Sequence, residues 1–272
     1  MPMPVKYRPE GQITRGKTAR NRLRRSDIFL MLTEEPLIRM RDPRALYVDL
    51  GYGFEPFTTL ETAARLRQMN PELPILGVEI EPERVKAGEP FADGKTFFRL
   101  GGFNLPLLEN EKVRIIRAFN VLRQYDEKEV APAWELMGSQ LMPGGMIIEG
   151  TSNPYGMVWT ANLLHRSAVP PFDVLNDAFV FSTNFHMGFE PDLFQPILTK
   201  NYIHRMVPGE KIFDFMEKWK EACRKNAFMR SYGLRQLFTA SAYELANAGY
   251  HIDLRKKLLN KGFLVWRYQK NE

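Results

Sequence analysis

Two acidic side chains, Asp49 and Glu79, each stand at the end of a short apolar run of the sequence. The first run breaks into Gly51 and Gly53, where the missing Cβ atoms allow an unusual backbone path and close approach of a ligand. A carboxylate at the position of Glu79 can accept hydrogen bonds from both ribose hydroxyls of a bound nucleoside. The types and spacing of these residues predict a nucleoside-binding cleft.

A strand, a glycine turn, a helix and a second strand must position these acids. The runs 46–50 and 75–79 are typical of strands, and Thr58 with Glu61 forms a T-x-x-E capping box. The box predicts a helix over roughly 58–69, directly after the glycine turn. Together the three elements predict a βαβ unit.

The residues around the turn indicate which nucleoside would fit. A dinucleotide fingerprint needs G-x-G-x-x-G so that the pyrophosphate lies on the helix N-terminus, but Pro56 occupies the third glycine position. Asp49 and Glu55 flank the loop, and their charges would repel a pyrophosphate. The same carboxylates would attract a ligand that carries an ammonium or sulfonium group.

With its D-x-G-x-G turn and the acid that ends its second strand, the sequence resembles the class I S-adenosylmethionine-dependent methyltransferases. The resemblance implies S-adenosylmethionine as cofactor and S-adenosylhomocysteine as product. The loop 101–104 lacks the acid that family members often carry there, which leaves Asn104 or a backbone carbonyl to contact the adenine. The cofactor-binding residues that the resemblance implies are Asp49, Gly51, Gly53, Glu55, Glu79, Ile80, Gly102, Phe103, Asn104, Asn120 and Val121.

Four later stretches resemble further elements of that family in the same order. They are 97–106 (third strand and loop), 115–125 (fourth strand), 141–151 (fifth strand after a P-G-G turn) and 244–270 (helix and final hairpin). The fold that this implies is α/β, a Rossmann-like, mostly parallel sheet of seven strands with a closing antiparallel hairpin.

The chain is expected to form one domain overall. Its parts are a basic arm and helix (1–44), a cofactor-binding core (45–150), an inserted substrate subdomain (151–232) and the closing helix and hairpin (233–272). The insertion contains a predicted strand at 178–185 and an amphipathic helix at about 210–224. Cys223 falls on that helix, where buried packing is the favoured role.

Methyl transfer from a sulfonium depends mainly on holding the acceptor in line with the methyl group. The candidates at the transfer site are Asn120, Tyr125 and His186. The four histidines show no paired metal-ligand spacing, so no metal site is expected.

The basic charge is concentrated in the arm. Residues 1–25 carry eight basic side chains and one acid, whereas the whole chain has a net charge of +6. Such an arm could bind the phosphates of a nucleic acid, with RNA as a possible acceptor. Alternatively, it is a solvated face, or it folds over the cofactor cleft with its arginines paired to core carboxylates.

The chain shows no apolar signal core and no stretch long enough for a membrane span, so a cytoplasmic protein is expected. Three function classes remain open. The first is a methyltransferase with an unidentified acceptor, and the second is an inactive cofactor-binding or nucleic-acid-binding protein on the same scaffold. The third, a nicotinamide-dependent oxidoreductase, is disfavoured by Pro56 and by the expected final hairpin.

Overall fold

The computed structural model of the protein describes residues 7–268. Lys6 of the basic arm and residues 269–272 of the expected closing segment lie outside the described residues. Residues 7–19 form no regular secondary structure, and a turn then leads into the first helix.

Eight strands form a single sheet in the described part of the chain. Their bounds are β1 Ala45–Leu50, β2 Ile75–Glu79, β3 Thr96–Leu100, β4 Lys112–Phe119, β5 Leu141–Ser152, β6 Val158–Arg166, β7 Val174–Thr183 and β8 Phe263–Arg267. Their order across the sheet is β3-β2-β1-β4-β5-β6-β7-β8.

The helices cover both faces of this sheet. Their bounds are α1 Arg24–Thr33, α2 Glu35–Arg39, α3 Phe57–Leu66, α4 Pro82–Gly88, α5 Val130–Ser139, α6 Lys200–Ile203, α7 Lys211–Lys225, α8 Leu234–Asn247 and α9 Lys256–Leu259. Short 3-10 helices lie at 89–91, 122–124, 127–129, 191–197 and 227–232. Within residues 7–268, none of the helices combines the length and apolar character that crossing a membrane requires.

The first five strands pair in parallel and follow the order 3-2-1-4-5 of a Rossmann-like sheet. Every residue of β1 and β2 is buried, as expected of strands with helices on both faces. The strand order reverses between β1 and β4, and ligands of open α/β sheets bind at the carboxyl ends of strands at such a point. The expected α/β class and Rossmann-like core are therefore confirmed.

The antiparallel end of the sheet differs in detail from the expectation. β6, β7 and β8 all join it antiparallel to their neighbours, which makes eight strands instead of seven. β6 was not predicted, and it returns directly from β5 through a tight turn with Gly156 at φ 65°. The antiparallel closing strand predicted within 244–270 is present as β8, but it pairs with β7, and the predicted partner strand before it is reduced to one antiparallel bridge between Ile252 and Trp266.

The segment 151–232 therefore contributes two strands to the main sheet. Its predicted strand is present as β7 and its predicted helix as α7. That helix buries Phe215 and Trp219 against an aromatic cluster on the outer part of the sheet. Cys223 is buried there, and burial raises the pKa of its thiol to about 11, in agreement with a packing role.

The capping box predicted for the third helix is absent. α3 begins at Phe57 without a side-chain cap, and the Thr58 hydroxyl instead donates to Asp49 Oδ2 at 2.8 Å. The hydroxyl therefore acts as a donor to a buried carboxylate and does not accept a backbone N–H of the first helical turn.

Candidate functional site

The glycine turn after β1 has the conformation that its sequence predicted. Gly51 and Gly53 have φ values of 70° and 92°, a left-handed region that favours glycine. A Cβ on Gly51 would lie 2.6 Å from Val121 Cγ2, and one on Gly53 would lie 2.5 Å from the carbonyl oxygen of Gly16. The two glycines therefore allow the loop after β4 and the arm to approach the end of β1.

Asp49 is buried beneath this turn, and its charge is matched within the protein. Its carboxylate accepts hydrogen bonds from the hydroxyls of Thr58 and Thr59, both at 2.8 Å. Arg117 of β4 adds a bond from Nε to Oδ1 at 3.0 Å and an ion pair from Nη2 to Oδ2 at 2.9 Å. The expectation that Asp49 and Glu55 present negative charge to the ligand is wrong, because Asp49 is paired and Glu55 is exposed outside the cavity lining.

Arg117 itself is fully buried and joins two carboxylates. Its Nη1 lies 2.5 Å from Oδ1 of Asp27, which extends the network to α1. Burial alone would lower the pKa of Arg117, but the charge of Asp49, with Tyr47 and Asp27, raises it. The guanidinium stays charged and holds β1, β4 and α1 together below the cleft.

Glu79 lies at the carboxyl end of β2, beside the glycine turn, as predicted. It is 1% exposed and accepts the backbone N–H groups of Gly53, at 3.0 Å, and of Ile80, at 2.9 Å. Arg84 lies 3.4 Å from the same carboxylate and donates to the carbonyl of Thr14 at 2.8 Å. A carboxylate has about four acceptor sites, so three are already in use.

The arm covers the part of the cleft where the adenosine was expected, which we call the adenosine end (Glu79, Ile80 and residues 101–104). The carbonyl of Glu10 accepts the Phe103 N–H at 2.8 Å, and the Glu10 N–H donates to Asn104 Oδ1 at 2.7 Å. Asn104 Nδ2 also donates to the carbonyl of Arg8 at 2.8 Å. A Cβ on Gly102 would lie only 1.9 Å from the Glu10 oxygen, so the arm depends on this glycine.

The next arm residues fill the space between the predicted adenine-binding side chains. Gly11 lies against Tyr125, Ile80 and Phe103, since a Cβ there would be 3.0, 3.3 and 3.7 Å from their nearest atoms. The Tyr125 hydroxyl accepts the Gln12 N–H, and burial raises the pKa of that hydroxyl. The cavity that remains here is about 20 Å³. In this conformation the residues do not accommodate S-adenosylmethionine.

Of the alternatives for the arm, folding over the cleft is confirmed, but the predicted pairing with carboxylates is wrong. Among the described residues, the arginines and the lysine at positions 7–25 make no ion pair with a carboxylate. Arg22 donates to Ser152 Oγ at 3.1 Å, and Arg25 donates to Ser182 Oγ at 2.9 Å. Arg20 lies over the ring of Phe57 at 4.2 Å. Hydroxyls, carbonyls and a ring bind these side chains because the nearby buried acids already have other partners.

A second and larger cavity, of about 750 Å³, lies at the other end of the cleft, which we call the acceptor end. The arm forms one wall, the turn after β1 forms the floor, and the loops after β4 and β5 form the far wall. The lining residues are 14–18, 22 and 23 of the arm, 49–53 and 58 of the floor, and 119, 120, 123, 124, 152–154 and 197 of the far wall.

The structure separates the three candidates for the transfer site. Asn120 lines the acceptor end with φ 61°, and its amide is fixed by the Ser152 N–H at 3.0 Å and by Ser152 Oγ at 3.2 Å. Tyr125 lies at the adenosine end, beneath the arm. His186 is exposed in the turn after β7 and does not line either end.

Sequence reasoning missed Arg84 and Arg117 as parts of the site, and it included Arg123 only within the range 120–125 expected to face the transfer site. Arg117 could have been suspected, because it is a charged residue within the apolar run of β4, where a buried cation needs an acidic partner. Arg84 and Arg123 show no such pattern. Their positions depend on how the arm and the loop after β4 fold back.

A scan against protein-family models and a search of curated proteins give no match. A search of solved structures gives matches over about half of this chain with low TM-scores. A magnesium protoporphyrin IX methyltransferase from Synechocystis with bound S-adenosylhomocysteine is 18% identical, with a TM-score of 0.35, over 48% of this chain and 54% of that one. This chain thus spans about half the length of that protein.

Two further structures are similar at the same level. The N-methyltransferase NodS from Bradyrhizobium japonicum is 13% identical, with a TM-score of 0.33, over 48% of this chain and 68% of that one. An S-adenosylmethionine-dependent methyltransferase from Clostridium acetobutylicum is 15% identical, with a TM-score of 0.33, over 57% and 63%. The order of its own parallel strands gives this chain a Rossmann-like α/β fold.

Proposed function

We propose that the protein is an S-adenosylmethionine-dependent methyltransferase whose cofactor site is closed by its own arm in the conformation described above. The observation that carries this proposal is the position of Glu79 beside the Gly51–Gly53 turn. Both lie at the carboxyl ends of strands, and the turn after β1 borders the point where the strand order reverses. A buried acid there suits a ribose: one acceptor site of Glu79 is free for a hydroxyl, and a second becomes free if Arg84, which also binds Thr14 of the arm, moves as the arm opens.

Binding of the cofactor requires residues 7–14 to leave the adenosine end. Their contacts to the core there are mainly backbone hydrogen bonds: arm carbonyls accept from Phe103 and Arg84, and arm N–H groups donate to Asn104 and Tyr125. Each such bond contributes only about 0.5–1.5 kcal/mol net, because water replaces it when the arm opens. A ligand that makes equivalent bonds can therefore compete with the arm.

When bound, S-adenosylmethionine supplies a methyl group that is already electrophilic. The task of this chain is then to bind and orient the reactants. Gly51 and Gly53 allow close approach of the backbone, and Asn120 with Ser152 presents fixed polar groups at the acceptor end. The acceptor is unidentified.

A second candidate function is favoured by the same arm. If residues 7–14 never leave, the protein is an inactive member of this fold that binds neither the cofactor nor its product. RNA binding through the basic arm belongs to this alternative as well as to the first, since it needs only the exposed cations.

The test is calorimetric titration of the protein with S-adenosylhomocysteine, comparing Gly11→Val with the wild type. Valine at φ 139° is strained and would press on Tyr125 and Ile80, so the arm should open. If the arm competes, Gly11→Val should bind about 10-fold more tightly, because a larger fraction of molecules is open.

The matched control is Ile13→Val, at a position of the same arm that is 63% exposed, and it should bind as the wild type does. Glu79→Gln in the Gly11→Val background should remove most of the affinity, provided that its unfolding midpoint stays close to that of Gly11→Val. Absence of binding in both the wild type and Gly11→Val would reject the cofactor and leave the second candidate. Turnover is then tested with a labelled methyl donor.

A further inference from the structure

Cations without carboxylate partners line the acceptor end. Arg22 is half-buried, and its guanidinium donates only to neutral oxygens: Ser152 Oγ at 3.1 Å and the carbonyls of Lys17, Ser152 and Asn153 at 2.8, 3.2 and 3.3 Å. Arg123, on the opposite wall, donates to the carbonyl of Pro196 at 2.9 Å. Arg15 and Lys17 are exposed and complete the set.

The acids do not balance this charge. Asp49 is the acidic residue that lines the cavity among residues 7–268, and Arg117 already pairs with it. Burial lowers the pKa of both Arg22 and Arg123, as expected where water has been removed and no carboxylate has replaced it. The acceptor end is therefore a positively charged cavity, opposite in sign to the cleft that the sequence predicted.

The shape of the cavity limits what can enter. A volume of about 750 Å³ is within the range of small-molecule sites. A nucleic-acid strand would need aromatic faces for base stacking, but the lining aromatic residues Tyr52 and Phe119 are only 3% and 5% exposed. The neutral groups of Asn120 and Ser152 add polar contacts of the kind that fix the orientation of a small ligand.

We propose that the acceptor end binds the anionic group, a phosphate or a carboxylate, of a small methyl acceptor. The role as acceptor rests on the proposed function, whereas binding of an anion does not. Lys17 and Arg22 belong to the part of the arm that follows residues 7–14, and contacts of Arg15 with Gln124 and of Arg22 with Ser152 hold it to the core. The cationic wall can thus remain in place when the adenosine end opens.

The test is calorimetric titration of the full-length protein with inorganic pyrophosphate and, separately, with citrate, at low ionic strength and without cofactor. The double variant Lys17→Gln/Arg123→Gln should bind the preferred anion about 10-fold or more weakly, because two charge-assisted contacts are lost. The matched control is Arg20→Gln/Arg24→Gln, which removes the same charge from exposed positions outside the cavity. It should bind as the wild type does.

Preference for pyrophosphate or for citrate identifies the anionic group as phosphate or carboxylate. Equal losses in the two double variants, or no binding of either anion to the wild type, would overturn the proposal. Tighter binding of a single-stranded RNA of about 12 nucleotides, with the same dependence on Lys17 and Arg123, would overturn the assignment to a small molecule. Binding of S-adenosylhomocysteine is measured separately. The proposed cofactor can therefore be rejected while the anion site is confirmed, or the anion site rejected while the cofactor is confirmed.

Discussion

The two ends of the cleft differ in what the arm does to them. At the adenosine end, backbone groups of residues 7–14 bond to the core and leave a cavity of about 20 Å³. At the acceptor end the same arm contacts the floor through Gly16 and Gly53 and encloses a cavity of about 750 Å³. One segment thus closes one end with main-chain hydrogen bonds and lines the other with charged side chains.

The difference shows how each end would respond to a ligand. The adenosine end is closed by contacts that a nucleoside could replace one for one, so binding there is a competition. Within the described part of the chain, the acceptor end lacks counter-charges for its cations, so an anion that binds there would give these cations charged partners that they lack in the free protein. Below the cleft lies the buried network of Asp27, Arg117 and Asp49.

The largest effect on stability should come from breaking this buried network with Arg117→Leu. The substitution leaves the carboxylates of Asp27 and Asp49 buried without their shared cation, and we expect a loss of about 3–5 kcal/mol in the free energy of unfolding. Urea denaturation measures it. Arg44→Leu is the matched control, since Arg44 forms an exposed 3.9 Å pair with Asp42 and should change stability by less than about 1 kcal/mol. Equal losses of unfolding free energy in the two variants would contradict a stabilising role for the buried network.

A smaller effect on stability should come from a charge cluster outside the cleft, formed by His165, Asp177 and Glu34, whose contribution depends on pH. His165 Nδ1 lies 3.0 Å from Asp177, and Nε2 lies 3.9 Å from Glu34. Burial opposes the charged form, but the bonds to Asp177 and Glu34 prevail and raise the pKa of His165 to about 9. A raised pKa in the folded state gives stability that is complete below the unfolded pKa of about 6.5 and is lost as pH rises through about 9.

His165→Gln should therefore lower the unfolding free energy by about 1–2 kcal/mol at pH 6, after allowance for partial exposure, and by almost nothing at pH 10. Thermal unfolding of the two proteins across this range measures the difference. Affinity for S-adenosylhomocysteine at a fixed pH should not change. A change in that affinity would show that the cluster and the cleft are coupled.

The smallest effect should come from Tyr125→Phe, which sharpens the competition at the adenosine end. The variant keeps the ring against Phe103, at 5.3 Å between centroids, and removes the hydroxyl that accepts the Gln12 N–H. Loss of one hydrogen bond to the arm, about 1 kcal/mol, should tighten S-adenosylhomocysteine binding by about 5-fold. Tyr155→Phe, at a position 73% exposed, is the control. Weaker binding by Tyr125→Phe would mean that the hydroxyl serves the ligand instead of the arm.

Much of the core could be predicted from the sequence because the signals are local. Short apolar runs that end in Asp49 and Glu79 predict buried parallel strands, and such strands end on one edge of the sheet. The glycine turn follows from the two glycines, which adopt positive φ values in the structure. The helix at 211–225 follows from apolar residues at helical spacing. The strand β6 was not predicted: residues 159–163 alternate between apolar and polar side chains, but Leu163 and Leu164 break that alternation.

The sequence by itself determined the Rossmann-like core, the places of Gly51, Gly53 and Glu79, and the excess of positive charge in the arm. Only the tertiary structure decided which charges remain for a ligand. Contacts such as Glu10 with Phe103 and Asp49 with Arg117 join residues that are far apart in the chain, and no local pattern encodes them. A buried charge needs a partner, so Arg117 pairs with Asp49, the acid that the sequence analysis expected to face a cationic ligand. Arg22, Arg123 and Lys17 have no carboxylate partner among the described residues and make the acceptor end positive.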